Sequence, residues 1–120
     1  MRRIKVLNKT RRLKTSLSAD YCDSFLCKLR GLAFRARLPA GQALVLADPG
    51  ESRLNPGIHM LGMFFDLTIV WLDAKKRVVD VRRARRWRSF LFPRKPARYV
   101  IECGVSRYGD FHIGDQLAFQ

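Results

Sequence analysis

The run Leu67 to Leu72 (LTIVWL) constrains this chain more than any other stretch, because it is apolar or β-branched on both parities. A strand with one wet face alternates; a strand without alternation must be covered on both sides. The run is therefore read as a central strand. Asp73 to Arg77 (DAKKR) supplies a polar turn and Val78 to Val81 a second strand, so the two should pair antiparallel as a hairpin. Three more apolar stretches fit the same architecture. Ala43 to Asp48 (ALVLAD) is a short buried strand leading into turn chemistry at Asp48 to Ser52. Tyr99 to Cys103 (YVIEC) alternates, with Val100 and Glu102 on the face opposite the others. Gln116 to Phe119 closes the chain after the IGD at Ile113 to Asp115.

The N-terminal end is basic. Arg3 to Leu7 and Leu13 to Leu17 alternate basic and apolar residues, so residues 1–19 read as a basic arm or a pair of half-buried strands, and 20–120 as one compact domain. Between Asp20 and Leu32 the apolar residues Tyr21, Cys22, Phe25, Leu26, Leu29 and Leu32 recur at three- and four-residue steps, which predicts a short amphipathic helix with Ser18 or Asp20 as cap. The expected fold is mainly β (α+β): a small antiparallel, barrel-like or curled sheet of six or seven short strands with one short helix. With 120 residues and 48% apolar content, the chain can build the core this needs.

Cys22, Cys27 and Cys103 are three in number. On a helix a five-residue gap turns side chains roughly 140° apart, so Cys22 and Cys27 are expected not to meet, and reduced thiols are the default. No apolar run reaches the ~20 residues of a membrane helix, and the opening MRRIKVLNKTRRLK lacks a signal-peptide core; a cytoplasmic protein with no transmembrane segment is expected.

The helix exit LRGLAFR at Leu29 to Arg35, the IHM at Ile58 to Met60, the FF and WLD within Phe64 to Asp73, and the GD at Gly114 and Asp115 occur in order, and together they resemble the domain-of-unknown-function 192 family of bacteria and archaea. The resemblance runs from about Asp20 to the C-terminus. It implies a compact, mostly β single domain, and it implies no particular reaction. Two departures stand out. Gly31-Leu32-Ala33 replaces the family's usual Gly-Leu-Met, and Phe65-Asp66-Leu67-Thr68 replaces its Phe-Pro-Ile-Asp, so a carboxylate has moved from the Thr68 position to Asp66.

Charge points to a partner. Twenty-four Lys and Arg against ten Asp and Glu give a formal +14, and the surplus is uneven. It is densest from Lys75 to Arg98, where RRARRWRSFLFPRKP interleaves arginines with Trp87, Phe90 and Phe92. Guanidinium groups meet phosphates while rings stack on bases, so Arg82, Arg83, Arg85, Arg86, Trp87 and Arg88 are read as a binding site for nucleic acid or another anion, with an acidic protein as a further partner class. Against this stands the plain reading of a solvated basic face with the rings in the core. An anionic membrane surface is the less favoured partner, since Pro93 and Pro96 break any helix there.

A second reading places a small-ligand or enzyme-accessory pocket at Arg53, Asn55 and His59, beside the turn Pro56-Gly57, with His59 able to bind an anion or act as a base. The plain alternative is a histidine that bonds a backbone carbonyl. A protein-assembly module docking through Met60, Met63, Phe64 and Phe65 is the third. The scattered Cys and His residues lack metal-ligand spacing, no nucleotide or hydrolase motif is present, and Cys103 on an alternating strand reads as core. No cofactor, metal or catalytic residue is assigned, and the reading leans away from an enzyme.

Overall fold

In the computed structural model, which describes residues 2–33 and 35–120 apart from the side chains of Phe25 and Leu29, all of Leu67–Leu72 is buried. The position of this strand explains why. Among the described residues nine strands form: β1 (Arg2–Asn8), β2 (Leu17–Cys22), β3 (Gln42–Ser52), β4 (Ile58–His59), β5 (Leu67–Leu72), β6 (Val78–Ala84), β7 (Phe90–Leu91), β8 (Ala97–Gly104) and β9 (Leu117–Phe119). Seven make one sheet in the order β6-β5-β8-β3-β2-β1-β9, and β4 with β7 makes a separate two-stranded ribbon. The hairpin of β5 and β6 is antiparallel as expected, while β2 and β3 run parallel.

The sheet curls into a half-barrel. Near one end its terminal strands meet through the bridge of Arg77 with Gln116 and the bond from the Val78 N–H to the Asp115 carbonyl (2.9 Å). Side-chain alternation then sorts the core into two layers. Ile4, Val6, Leu17, Ala19, Val45, Val70, Leu72, Ile101 and Cys103 belong to the layer inside the curl. Leu44, Leu46, Ile69, Trp71 and Val100 face the other way and pack with Leu32, Ile58, Met60 and Met63 from the connecting segments. The Trp71 indole N–H, deep in this second layer, donates to the Pro56 carbonyl at 2.8 Å.

Four expectations for the first third are corrected. The second strand is Leu17–Cys22, not Leu13 to Leu17, and the helix α1 is Phe25–Arg30, shorter than the periodicity from Asp20 predicts. Leu17, Ala19 and Cys22 are buried by pairing with β1 and β3, so tertiary pairing claims residues that also fit a helical repeat. The cap is Ser24, whose hydroxyl accepts from the Cys27 N–H (3.2 Å). Because Cys22 ends a strand and only Cys27 is helical, the angular argument fails: the two form a disulfide with Cα atoms 5.9 Å apart. Phe34, within the family-like LRGLAFR, lies outside the described residues, as do the side chains of Phe25 and Leu29.

Two polar residues fasten the loops. Buried Arg107, in the 3-10 helix Val105–Asp110, donates to the carbonyls of Thr15, Ser16 and Ala40 and to the Asp110 carboxylate. Asp115, the acid of the GD motif, accepts from Arg11, Asn8 and the His112 N–H. Burial pushes this carboxyl up, but the bonds from Arg11, Asn8 and His112 outweigh burial and hold it at about 2.

Candidate functional site

β6 lies at one end of the sheet order, and the two-residue period of a strand sends its successive arginines to opposite faces. Arg82 covers the Trp71 ring (5.4 Å) and donates to Asp80, a carboxylate only 1% exposed, and to the Phe92 carbonyl. Arg94 shares Asp80 at 3.8 Å. Arg83, on the other side, stacks over Tyr108 at 4.3 Å. The five predicted arginines therefore do not form one surface. Arg82 is committed to a buried acid, and Arg83 faces away from it.

Beyond Ala84 the chain makes a tight, fully bonded turn. The Arg85 N–H donates to the Ser89 hydroxyl (2.8 Å), the Arg86 N–H to the Asp66 carboxylate (2.9 Å) and the Trp87 N–H to the Met60 carbonyl (2.9 Å). The N–H groups of Arg88 and Ser89 both reach the Arg85 carbonyl. Trp87 sits at φ 63°, a left-handed conformation that a bulky residue adopts only where its surroundings enforce it. Trp87 is 48% exposed, and its ring meets Phe64 edge to face, centroids 5.9 Å apart. The adjoining ribbon pairs His59 with Phe90, both exposed, and Ile58 with Leu91, which turn inward. Phe92 rests against Gly57, where an added Cβ would lie 2.5 Å from its ring. The turn and the adjoining ribbon thus carry exposed Trp87 and Phe90, exposed Arg85 and Arg88, which make no ion pair among the described residues, and Arg86, loosely paired to Asp66 at 3.8 Å. Asp66 anchors this turn, while Thr68, at the position of the family's usual acid, is buried with its hydroxyl donating to the Val105 carbonyl (3.4 Å).

Arg53, Asn55 and His59 do not converge. The Arg53 guanidinium donates to the Pro93 carbonyl (3.2 Å), the Asn55 N–H donates to the Ser52 hydroxyl (3.2 Å), and only His59 borders a cavity. That cavity, about 40 Å³, has room for a molecule of only a few heavy atoms, well below a drug-sized ligand. Its wall includes a residue that the candidate-site reading missed. Glu102 is 5% exposed and lies in register between Leu44 and Ile69. No hydrogen bond or ion pair reaches its carboxylate among the described residues, and burial pushes it up to about 7. Gly31, at φ 52°, leaves the carboxylate uncovered; a Cβ there would lie 3.5 Å from Oε1. The sequence signal was an acid within the alternation of YVIEC.

Cys103 is a buried thiol pushed up to about 12, mainly by desolvation, so it stays protonated and unreactive. No group of three or more His, Cys, Asp or Glu side chains suited to a metal gathers among the described residues, and no helix there is long and apolar enough to cross a membrane.

Comparison with known proteins adds relatives at two distances. The DUF192 family model, described as an uncharacterized ACR, matches residues 6–119. The UPF0127 protein of Thermococcus gammatolerans is 37% identical over 95% of this chain and 74% of its own length. That of Pyrococcus abyssi is 33% identical over 93% and 94%. Two crystal structures share the fold. A candidate transcription regulator from Sinorhizobium meliloti has TM-score 0.83 at 16% identity, covering 98% of this chain and 92% of that one. A protein of unknown function from Novosphingobium aromaticivorans has TM-score 0.79 at 17% identity, covering 97% and 83%.

Proposed function

The chain belongs to the DUF192 family, and since that membership specifies no ligand, we propose from its own surface that it is a binding module holding single-stranded nucleic acid on the face of Trp87 and Phe90. One observation carries the reading: a large ring is kept exposed, in a strained backbone conformation, by a turn whose N–H groups from Arg85 to Ser89 are all bonded. A rigid, outward-facing ring loses little entropy when a base stacks on it, and such stacking contributes about 1–3 kcal/mol per base. Arg85, Arg86 and Arg88 flank the rings and supply phosphate contacts. Arg82 and Arg83, expected from the sequence to share this task, act as scaffold. Duplexes suit the face less, because flat rings need unpaired bases.

Titration of labelled oligo-dT and oligo-U with the full chain tests the reading. Three phosphate contacts predict a salt dependence with slope of about −2 in log affinity against log salt. Trp87→Ala should weaken binding about tenfold, and the joint change R85Q/R88Q should flatten the slope. Binding to vesicles of anionic lipid with none to either oligonucleotide would replace this reading with the membrane one. Equal binding by W87A and the parent would remove the stacking face altogether.

A further inference from the structure

The cavity over Glu102 is separate from the stacking face in its chemistry. Its charges are sorted by depth: the acid is 5% exposed, whereas Arg30 and His59, which line the same space, are exposed. Lys28, also on the wall, is turned to Asp48, with Nζ donating to Oδ1 at 3.0 Å, and so does not serve Glu102. The walls also carry apolar Leu32, Met60 and Met63. Buried carboxylates are ordinarily hydrogen-bonded or ion-paired, and this one has no such partner among the described residues while empty space adjoins it.

We propose that this cavity binds a small zwitterionic amine, its ammonium on the Glu102 carboxylate and its anionic end at Arg30 and His59. A simple cation would have to pass the exposed Arg30 guanidinium without compensation. A simple anion would end against a carboxylate. A molecule carrying both charges, with one or two methylenes between them, matches acid, apolar wall and basic rim. The volume of about 40 Å³ limits it to a few heavy atoms, the size of an unsubstituted amino acid. Gly31 belongs to the site because its missing side chain keeps the carboxylate accessible. An ammonium partner would also hold Glu102 ionised, which desolvation alone opposes.

The test uses the isotopically labelled full chain and three probes: glycine, methylammonium chloride and acetate. Glycine should shift the amide signals of Gly31 and Glu102 saturably, at concentrations about tenfold below those at which methylammonium or acetate does. Glu102→Gln, which keeps size and shape, should remain folded by its melting curve and lose glycine binding about tenfold or more. R30Q should weaken glycine and leave methylammonium unchanged. The proposal is overturned if glycine up to about 100 mM leaves these amides unmoved, if E102Q binds glycine as the parent does, or if acetate alone binds.

Discussion

Glu102 burdens the folded state in a way that pH reveals. The folded chain holds this proton up to about pH 7, whereas an exposed glutamate releases it near 4.5, so between those values the folded state binds more protons than the unfolded one. Stability contributed at this site therefore falls as pH rises through that window and stays lower above it, by an amount on the order of 3 kcal/mol. E102Q should be more stable than the parent at about pH 8 by a comparable amount, and the gain should shrink toward pH 4.5, as read from paired urea denaturation curves. A gain that does not vary with pH would show that the carboxyl is not desolvated. The acid itself was legible in YVIEC as a charge on an alternating strand. Its isolation was not, because that depends on Lys28 turning to Asp48, a contact made across the fold.

Among the elements, the turn after β6 is held by partners distant in sequence: Asp66 bonds the Arg86 N–H and Met60 the Trp87 N–H. Asp66→Ala should free the turn without unfolding the sheet, seen as faster trypsin cleavage after Arg85, Arg86 or Arg88 at an unchanged melting temperature. Unchanged cleavage would mean that the turn holds without its anchor. Gly57→Ala should push Phe92 off its seat and lower stability by about 1–3 kcal/mol, measured by thermal melting, since the new Cβ would meet the ring at 2.5 Å. Legibility at this scale follows the number of competing patterns. Leu67–Leu72 carries only one, and its burial on both faces follows directly. Leu17–Cys22 carries both strand alternation and a helical repeat, and only pairing to β1 and β3 decides between them. The arginines were visible as a cluster. That Arg82 serves Asp80 and Arg83 serves Tyr108 follows once β6 is known to be a strand at the end of the sheet.

For the molecule as a whole, Arg107 binds parts of the chain that are far apart in sequence, reaching Thr15, Ser16 and Ala40 from one buried guanidinium. Arg107→Ala leaves those carbonyls without their donor and should cost about 3–5 kcal/mol, lowering the melting temperature by about 10 °C or more. A smaller change would mean that water replaces the guanidinium there. The half-barrel has a further consequence, because among the described residues β6 and β9 meet only near Arg77 and Gln116 and are otherwise the two unmated margins of the sheet. A bare margin of hydrogen-bonding backbone invites another molecule to add its own strand, and charged side chains are the usual deterrent. Arg82 and Arg83 belong to β6, the strand at one of those margins. Replacing both arginines by apolar residues should therefore raise the tendency of one copy to pair with the next, as read from light scattering.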